Sequence, residues 1–173
     1  MNNNRLRMLL VSLLSLVQGI TACGQEKFDQ MVDRLCSQTV PTITPKALQS
    51  QLEQHGSQKI YVLDTRESNE FEVSHLQNAR SVGYKKFSIE ALHDVPKDAM
   101  LVTYCTVGYR SEKIGEQLLK AGYKNVHNLY GGIINWSNEG QILYNNTQKT
   151  TPKVHTYSKS WGKWLTKGEK IYE

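Results

Sequence analysis

A cysteine set between an apolar run and an amphipathic run constrains this chain more than any other feature. Met100 to Tyr104 reads as a short buried strand. Ser111 to Ala121 reads as a helix, with Ile114, Leu118 and Leu119 on one face and Gly122 just past its end. Cys105 therefore falls where a strand ends and a helix begins, a place where unpaired backbone N–H groups converge and the helix dipole is positive. Both effects favour an anion, here a thiolate. Gly108 lets the connecting loop turn tightly enough to aim its amides at the sulfur. The plain alternative is an inert core cysteine. The glycine, the closing Arg110 and the helix that follows favour a nucleophile, held by amides and open to solvent.

The chain opens on an address. Arg5 and Arg7 form a positive region, and Met8 to Val17 is an apolar run too short to span a bilayer comfortably. Ile20-Thr21-Ala22-Cys23 follows, and its small residues align on the cysteine in the way of a bacterial lipobox. On that reading residues 1–22 are a signal peptide and Cys23 becomes the lipidated first residue of an exported, membrane-anchored protein facing the periplasm or cell exterior. Ordinary secretory cleavage is the competing reading. Without the leader arginines the chain carries 19 cations against 16 anions, a net +3 that makes no case for nucleic acid. Of three cysteines only Cys36 and Cys105 then remain, which gives no disulfide framework and no zinc pattern; neither metal nor cofactor is expected.

Residues 23–39 read as a tether ending in a helix, because Phe28, Met31, Val32, Leu35 and Cys36 recur at helical spacing. Cys36 then faces the core; a role as resolving thiol for Cys105 is the alternative. Residues 40–144 alternate strands and helices. Thr44-Pro45 caps a helix carrying Leu48 and Leu52, and Lys59 to Leu63 is a strand running into Asp64-Thr65-Arg66-Glu67. A short helix from Ser68 to Val73 turns Phe71 inward, and Arg80 to Val82 and Asn125 to Leu129 are further strands. Gly131-Gly132 opens a helix through Ile133, Ile134 and Trp136. The pattern predicts a single α/β domain with a mostly parallel sheet and helices on both faces. Sites in such folds lie at the carboxyl ends of strands, where Asp64 and Cys105 both fall.

Three motifs then stand in order. Asp64-Thr65-Arg66 with Glu70-Phe71, His75-Leu76 and Ala79 resembles the first motif of the rhodanese (sulfurtransferase) family. Cys105 to Ser111 resembles its active loop, C-x-x-G-x-R-S, and Leu129-Tyr130-Gly131-Gly132 through Trp136 its closing motif. Ser74 replaces the family's usual glycine, and a proline usual after Trp136 is missing. The resemblance implies that Cys105 takes a sulfane sulfur from a donor such as thiosulfate or a persulfide and passes it to an acceptor thiol or cyanide. The amides of Thr106, Val107, Gly108, Tyr109, Arg110 and Ser111 would hold the persulfide, and Arg110 would add positive charge. Asp64 and Arg66 would brace the loop. Local rules alone account for both: Asp64 or Thr65 caps the next helix, and Arg66 pairs with Glu70 four residues on. His75 reads as a hydrogen-bonded turn residue, and His55 and His127 have no suggestive neighbours.

Two other readings compete with this one. A cysteine phosphatase or arsenate reductase places five residues between cysteine and arginine, whereas four stand here, a loop sized for sulfur rather than for phosphate. A non-catalytic rhodanese-like binding module commonly lacks the cysteine. The extension at 145–173 interleaves lysines with Tyr157, Trp161, Trp164 and Tyr172. Val154, Tyr157, Trp161, Trp164 and Leu165 fall near helical spacing and suggest docking onto the domain. The stretch Trp164-x-x-x-Gly168-x-x-x-Tyr172 also echoes Trp136-x-x-x-Gly140-x-x-x-Tyr144, each a helix end, a glycine cap and a returning segment. Contact with an anionic membrane surface is the minority alternative.

Overall fold

The computed structural model describes residues 24–54 and 59–172. Cys23 and its leader, and His55 with Gly56, lie outside the described residues. Helix α1 covers residues 24–35 and is followed by β1 (Thr42–Ile43) and α2 (Pro45–Glu53). Thr44 caps α2 by accepting the Ala47 N–H at 3.2 Å, with Pro45 in the first turn, where no intrahelical amide is needed. Next come β2 (Ile60–Asp64), α3 (Ser68–Val73), β3 (Arg80–Ser81), a 3₁₀ turn (Ile89–Leu92), β4 (Met100–Tyr104) and α4 (Tyr109–Lys120). The core closes with β5 (Asn125–Leu129) and α5 (Gly132–Asn138).

Five strands form one parallel sheet in the order β1-β5-β4-β2-β3. Every residue of the central β4 is buried, which is why that strand reads as a continuous apolar run rather than an alternation. Its side chains still divide by period two. Val102 and Tyr104 join one core cluster with Phe28, Leu48, Ile133 and Trp136, and Leu101 joins a second with Val40, Ile114, Leu118 and Val126. The chain leaves β2 toward β3 but leaves β4 toward β5, so the winding reverses between the central strands. Ligand crevices open at such reversals, beyond the strand carboxyl ends. Asp64 pairs in register with Tyr104 there, and Cys105 is the next residue.

The extension docks, though not as one helix. Val154 lies in β6 (Lys153–His155), which pairs in parallel with β7 (Glu169–Ile171), and the helical part is confined to α6 (Lys159–Gly162). Ser158 starts α6 by accepting the Trp161 N–H, and Tyr157 before it has a left-handed backbone (φ 66°), so the apolar spacing from Val154 to Leu165 is broken. The echoed glycines Gly140 and Gly168 both take positive φ (80° and 108°), and Gly168 leads into β7 rather than capping a helix. Val154 and Leu165 are buried in the same cluster as Phe28, and Phe28 meets Trp164 edge to face at 5.9 Å. The amino-terminal helix and the carboxy-terminal extension thus touch each other over one face of the sheet.

Candidate active site around Cys105

The loop between β4 and α4 is pinned from behind. The Cys105 carbonyl accepts the Ile133 N–H at 2.9 Å, and the Thr106 carbonyl accepts the Ile134 N–H at 3.3 Å. Both donors belong to the first turn of α5, whose amides have no partner within their own helix. The Gly108 N–H donates to Cys105 Sγ at 3.2 Å, and Gly108 itself has φ 116°, open to glycine and strained for other residues. Ser111 sends its hydroxyl to Asn128 Oδ1 at 2.7 Å, and the Asn128 amide donates to the Gly108 carbonyl at 3.0 Å. Ser111 and Asn128 therefore lock the far side of the loop, and the Ser111 hydroxyl is occupied there.

Cys105 is not open to solvent as the sequence suggested. It is 1% exposed, on the floor of a cavity of about 200 Å³ whose lining includes Leu35 of α1 and Tyr157 and Trp161 of the extension. Thr106 and Val107 are buried beside it, whereas Tyr109 stands at the rim, 42% exposed. The sequence concealed this because the covering side chains come from both ends of the chain.

Arg110 does not offer a free charge. Its two terminal nitrogens each donate to a Glu70 carboxylate oxygen at 2.7 Å, and one also reaches Thr106 Oγ1 at 2.9 Å. Thr106 in turn donates to Glu70 Oε1 at 3.3 Å. Sequence reasoning assigned Glu70 to Arg66, and the structure corrects this. Arg66 pairs instead with Asp64 at 2.6 Å, both fully buried, and donates to the Ser74 carbonyl at 2.5 Å. Neither Asp64 nor Thr65 caps α3; Glu67 stands at that position, with its N–H bonded to Glu70 Oε2 at 3.1 Å. Thr65 ties back to β4, its N–H and hydroxyl both donating to the Tyr104 carbonyl. The inward residue of α3 is Glu70, while Phe71 is half-buried and stacked on His75 at 3.9 Å. His75 fills a turn, its Nδ1 3.0 Å from the Phe71 carbonyl. Ser74 is extended (φ −166°), a conformation any residue adopts, so the absent glycine costs nothing at this turn.

Burial opposes ionisation of Glu70, but the hydrogen bonds and charge of Arg110 prevail and hold its carboxyl below the ordinary 4.5. The sign follows directly. A carboxyl depressed in the folded chain contributes stability above its ordinary value and loses it as pH falls through the folded one. Stability of the wild type and of Glu70→Gln, measured by denaturant unfolding, is therefore expected to differ at neutral pH and to converge as pH drops below about 4.5. A constant difference across that window would mean that the charge on Glu70 contributes nothing.

Cys36 lies at the end of α1, buried and unbonded to Cys105, its sulfur 3.4 Å from the point where a side chain on Gly108 would begin. Burial pushes its thiol up to about 12, with the negative charge of Glu112 adding to the effect. That suits a packing residue and disfavours a resolving thiolate. Glu112, on the first turn of α4, accepts the amides of Ser37 and Thr39 at 2.9 Å each and so fastens the segment after α1 to α4.

Comparisons with known proteins agree with this geometry. A family model described as the rhodanese-like domain matches residues 44–139. Over 101 residues the chain is 32% identical to a probable adenylyltransferase/sulfurtransferase MoeZ of Mycobacterium tuberculosis, covering 58% of this chain and 25% of that one. Over 85 residues it is 36% identical to a tRNA uridine(34) hydroxylase of Pectobacterium atrosepticum, covering 46% of this chain and 24% of the relative. The chain thus spans about a quarter of the length of these relatives. Among solved structures, a thiosulfate sulfurtransferase from Pseudomonas aeruginosa superposes with TM-score 0.58 at 19% identity, over 82% of this chain and 26% of that one. That likeness is one of fold. The family match covers more than half of the sequence, and its motifs converge on one loop around Cys105; the chain belongs to the rhodanese-like family.

Proposed function

We propose that this protein is a sulfurtransferase working through a persulfide on Cys105. The reading rests on one observation above all: a cysteine sulfur on the floor of a cavity accepts a loop amide, while the loop carbonyls are drawn backward by α5. In the first half-reaction the Cys105 thiolate attacks the outer sulfur of a donor. With thiosulfate, a new S–S bond forms at Cys105, the donor S–S bond breaks, and sulfite departs with its electron pair. In the second, cyanide or a thiolate acceptor takes the outer sulfur and returns the thiolate. Splitting the transfer in this way is covalent catalysis of the ping-pong kind. Amides along Thr106 to Ser111 would stabilise the charge on the outer persulfide sulfur. Arg110, bound to Glu70 and Thr106, acts in this reading by holding the loop.

Lipidation at Cys23, with attachment to a membrane facing the periplasm or cell exterior, is part of the same proposal and is supported by the leader sequence alone. The test of the chemistry is mass spectrometry of the purified protein after exposure to a panel of sulfane donors, with Cys105→Ser alongside. The expected result is a gain of one sulfur by the wild type and none by the variant. Failure of the wild type to gain sulfur from every donor would overturn the reading and favour a non-catalytic binding module.

A further inference from the structure

The family match ends at residue 139 and begins at 44, yet the cavity over Cys105 is walled from outside both limits. Leu35 belongs to α1, and Tyr157 and Trp161 to the extension. They face Cys105, Val107 and Tyr109 across about 200 Å³. An enclosed apolar space of about 150 Å³ accepts a benzene ring, so this one has room for a small hydrocarbon group.

The wall is built, not incidental. Tyr157 takes φ 66°, a left-handed conformation unfavourable for an aromatic residue. It is held there by its N–H on His155 Nδ1 at 3.2 Å and by the Ser158 N–H on the Thr156 carbonyl at 2.7 Å, and His155 and Thr156 are both buried. Strain of this kind persists only where surrounding structure enforces it, and it clusters at functional sites. Its result is a ring standing over the Arg110 guanidinium at 5.2 Å. Trp161 is fixed by the Ser158 cap and packs against the main core cluster.

Charge points the same way. Among the described residues, Arg110 is the one charged side chain lining the cavity; Glu70 binds both its terminal nitrogens, and Tyr157 covers its face. A dianion such as thiosulfate would enter an apolar pit where the described residues offer no unneutralised cation to receive it, and burying such charge is costly.

Building on the sulfurtransferase reading, we infer that Leu35, Tyr157 and Trp161 select a small apolar organic persulfide, R–S–SH, as the sulfur donor in preference to thiosulfate. The Cys105 thiolate attacks the outer sulfur and the S–S bond of the donor breaks. R–S⁻ leaves with the electron pair and takes up the proton of the transferred sulfur, so that the products are R–SH and the Cys105 persulfide anion, Cys–S–S⁻. Atoms and charge balance, and no oxidant is needed. The hydrocarbon group lies against the aromatic wall.

The test is rapid-quench mass spectrometry of Cys105 in the full chain, mixed in turn with benzyl persulfide, glutathione persulfide and thiosulfate. The two persulfides share their reacting atoms and differ in the group behind them. The wild type is expected to load from benzyl persulfide at least about tenfold faster than from glutathione persulfide or thiosulfate, the contrast an apolar pocket commonly provides. In Tyr157→Gly, whose backbone suits the left-handed region, and in Trp161→Ala, the ratio of benzyl to glutathione persulfide should fall toward one. Trp161→Phe should restore part of it. Equal loading from thiosulfate, or an unchanged ratio in both variants, would overturn the inference and leave sulfur transfer standing. No loading from any donor would overturn the sulfurtransferase reading itself.

Discussion

Gly132→Ala is expected to cost about 3 kcal/mol of stability and at least about a hundredfold in the rate of Cys105 persulfide formation. A β-carbon at Gly132 would sit 2.4 Å from the Cys105 carbonyl oxygen and 2.7 Å from the Thr106 carbonyl carbon. Both obstacles are backbone, so no side-chain rotation relieves them, and φ at Gly132 is 57°. One of two elements must move. Helix α5 is buried along nearly its whole length through Ile133, Ile134 and Trp136, so the loop carrying the thiol is the part that gives. Its carbonyls would then lose the Ile133 and Ile134 amides, and the sulfur would shift relative to the Gly108 N–H. Denaturant unfolding and donor loading measure the two effects. Gly83→Ala is the control, because φ there is 70° but nothing lies within 4 Å; it should show the smaller conformational cost alone. Equal losses in the two variants would refute the clash.

Asp64→Ala should destabilise the fold by about 3–5 kcal/mol, the usual effect of leaving a buried charge without its partner. Arg66 is fully buried, and Asp64 receives its N–H at 2.9 Å, its Nε at 3.0 Å and its Nη2 at 2.6 Å. Burial opposes the guanidinium charge, and the Asp64 charge and hydrogen bonds more than restore it, holding Arg66 protonated. Without Asp64, Arg66 keeps the Ser74 carbonyl as a partner but loses its hydrogen-bonded carboxylate, and Glu70, whose charge also favours it, is bound to Arg110. The double variant Asp64→Ala/Arg66→Met should recover much of the loss, because it removes the stranded charge as well. Both effects can be read from denaturation midpoints. A double variant no more stable than the single one would show that the pair is held for shape rather than for charge balance.

The sheet and the position of Cys105 were legible because they are written locally. Buried strands, glycine punctuation and capping residues such as Thr44 each announce themselves within a few positions. Glu70 was misassigned for the opposite reason. Helical spacing offered Arg66 as its neighbour, whereas its true partner, Arg110, is forty residues farther along and is brought near only by the winding of the sheet. Arg66 had a nearer partner in Asp64, two residues back, and spacing rules for helices do not apply across that turn. The extension misled through its apolar spacing, which was real but interrupted. Ser158 followed directly by Lys159-Ser160-Trp161 is a capping signal, and it marks the start of the helix. No signal in the motif around Cys105 reveals that Leu35, Tyr157 and Trp161 enclose it, because their contacts span most of the chain.

The grip of Glu112 on the amides of Ser37 and Thr39 has a practical consequence. An investigator who trimmed this protein to the borders of its family domain would retain Cys105 and discard the roof. If Cys105 takes sulfur as proposed, donor preferences recorded on such a fragment would describe an unroofed dish, and the proposed selectivity would have been cut away with the two ends.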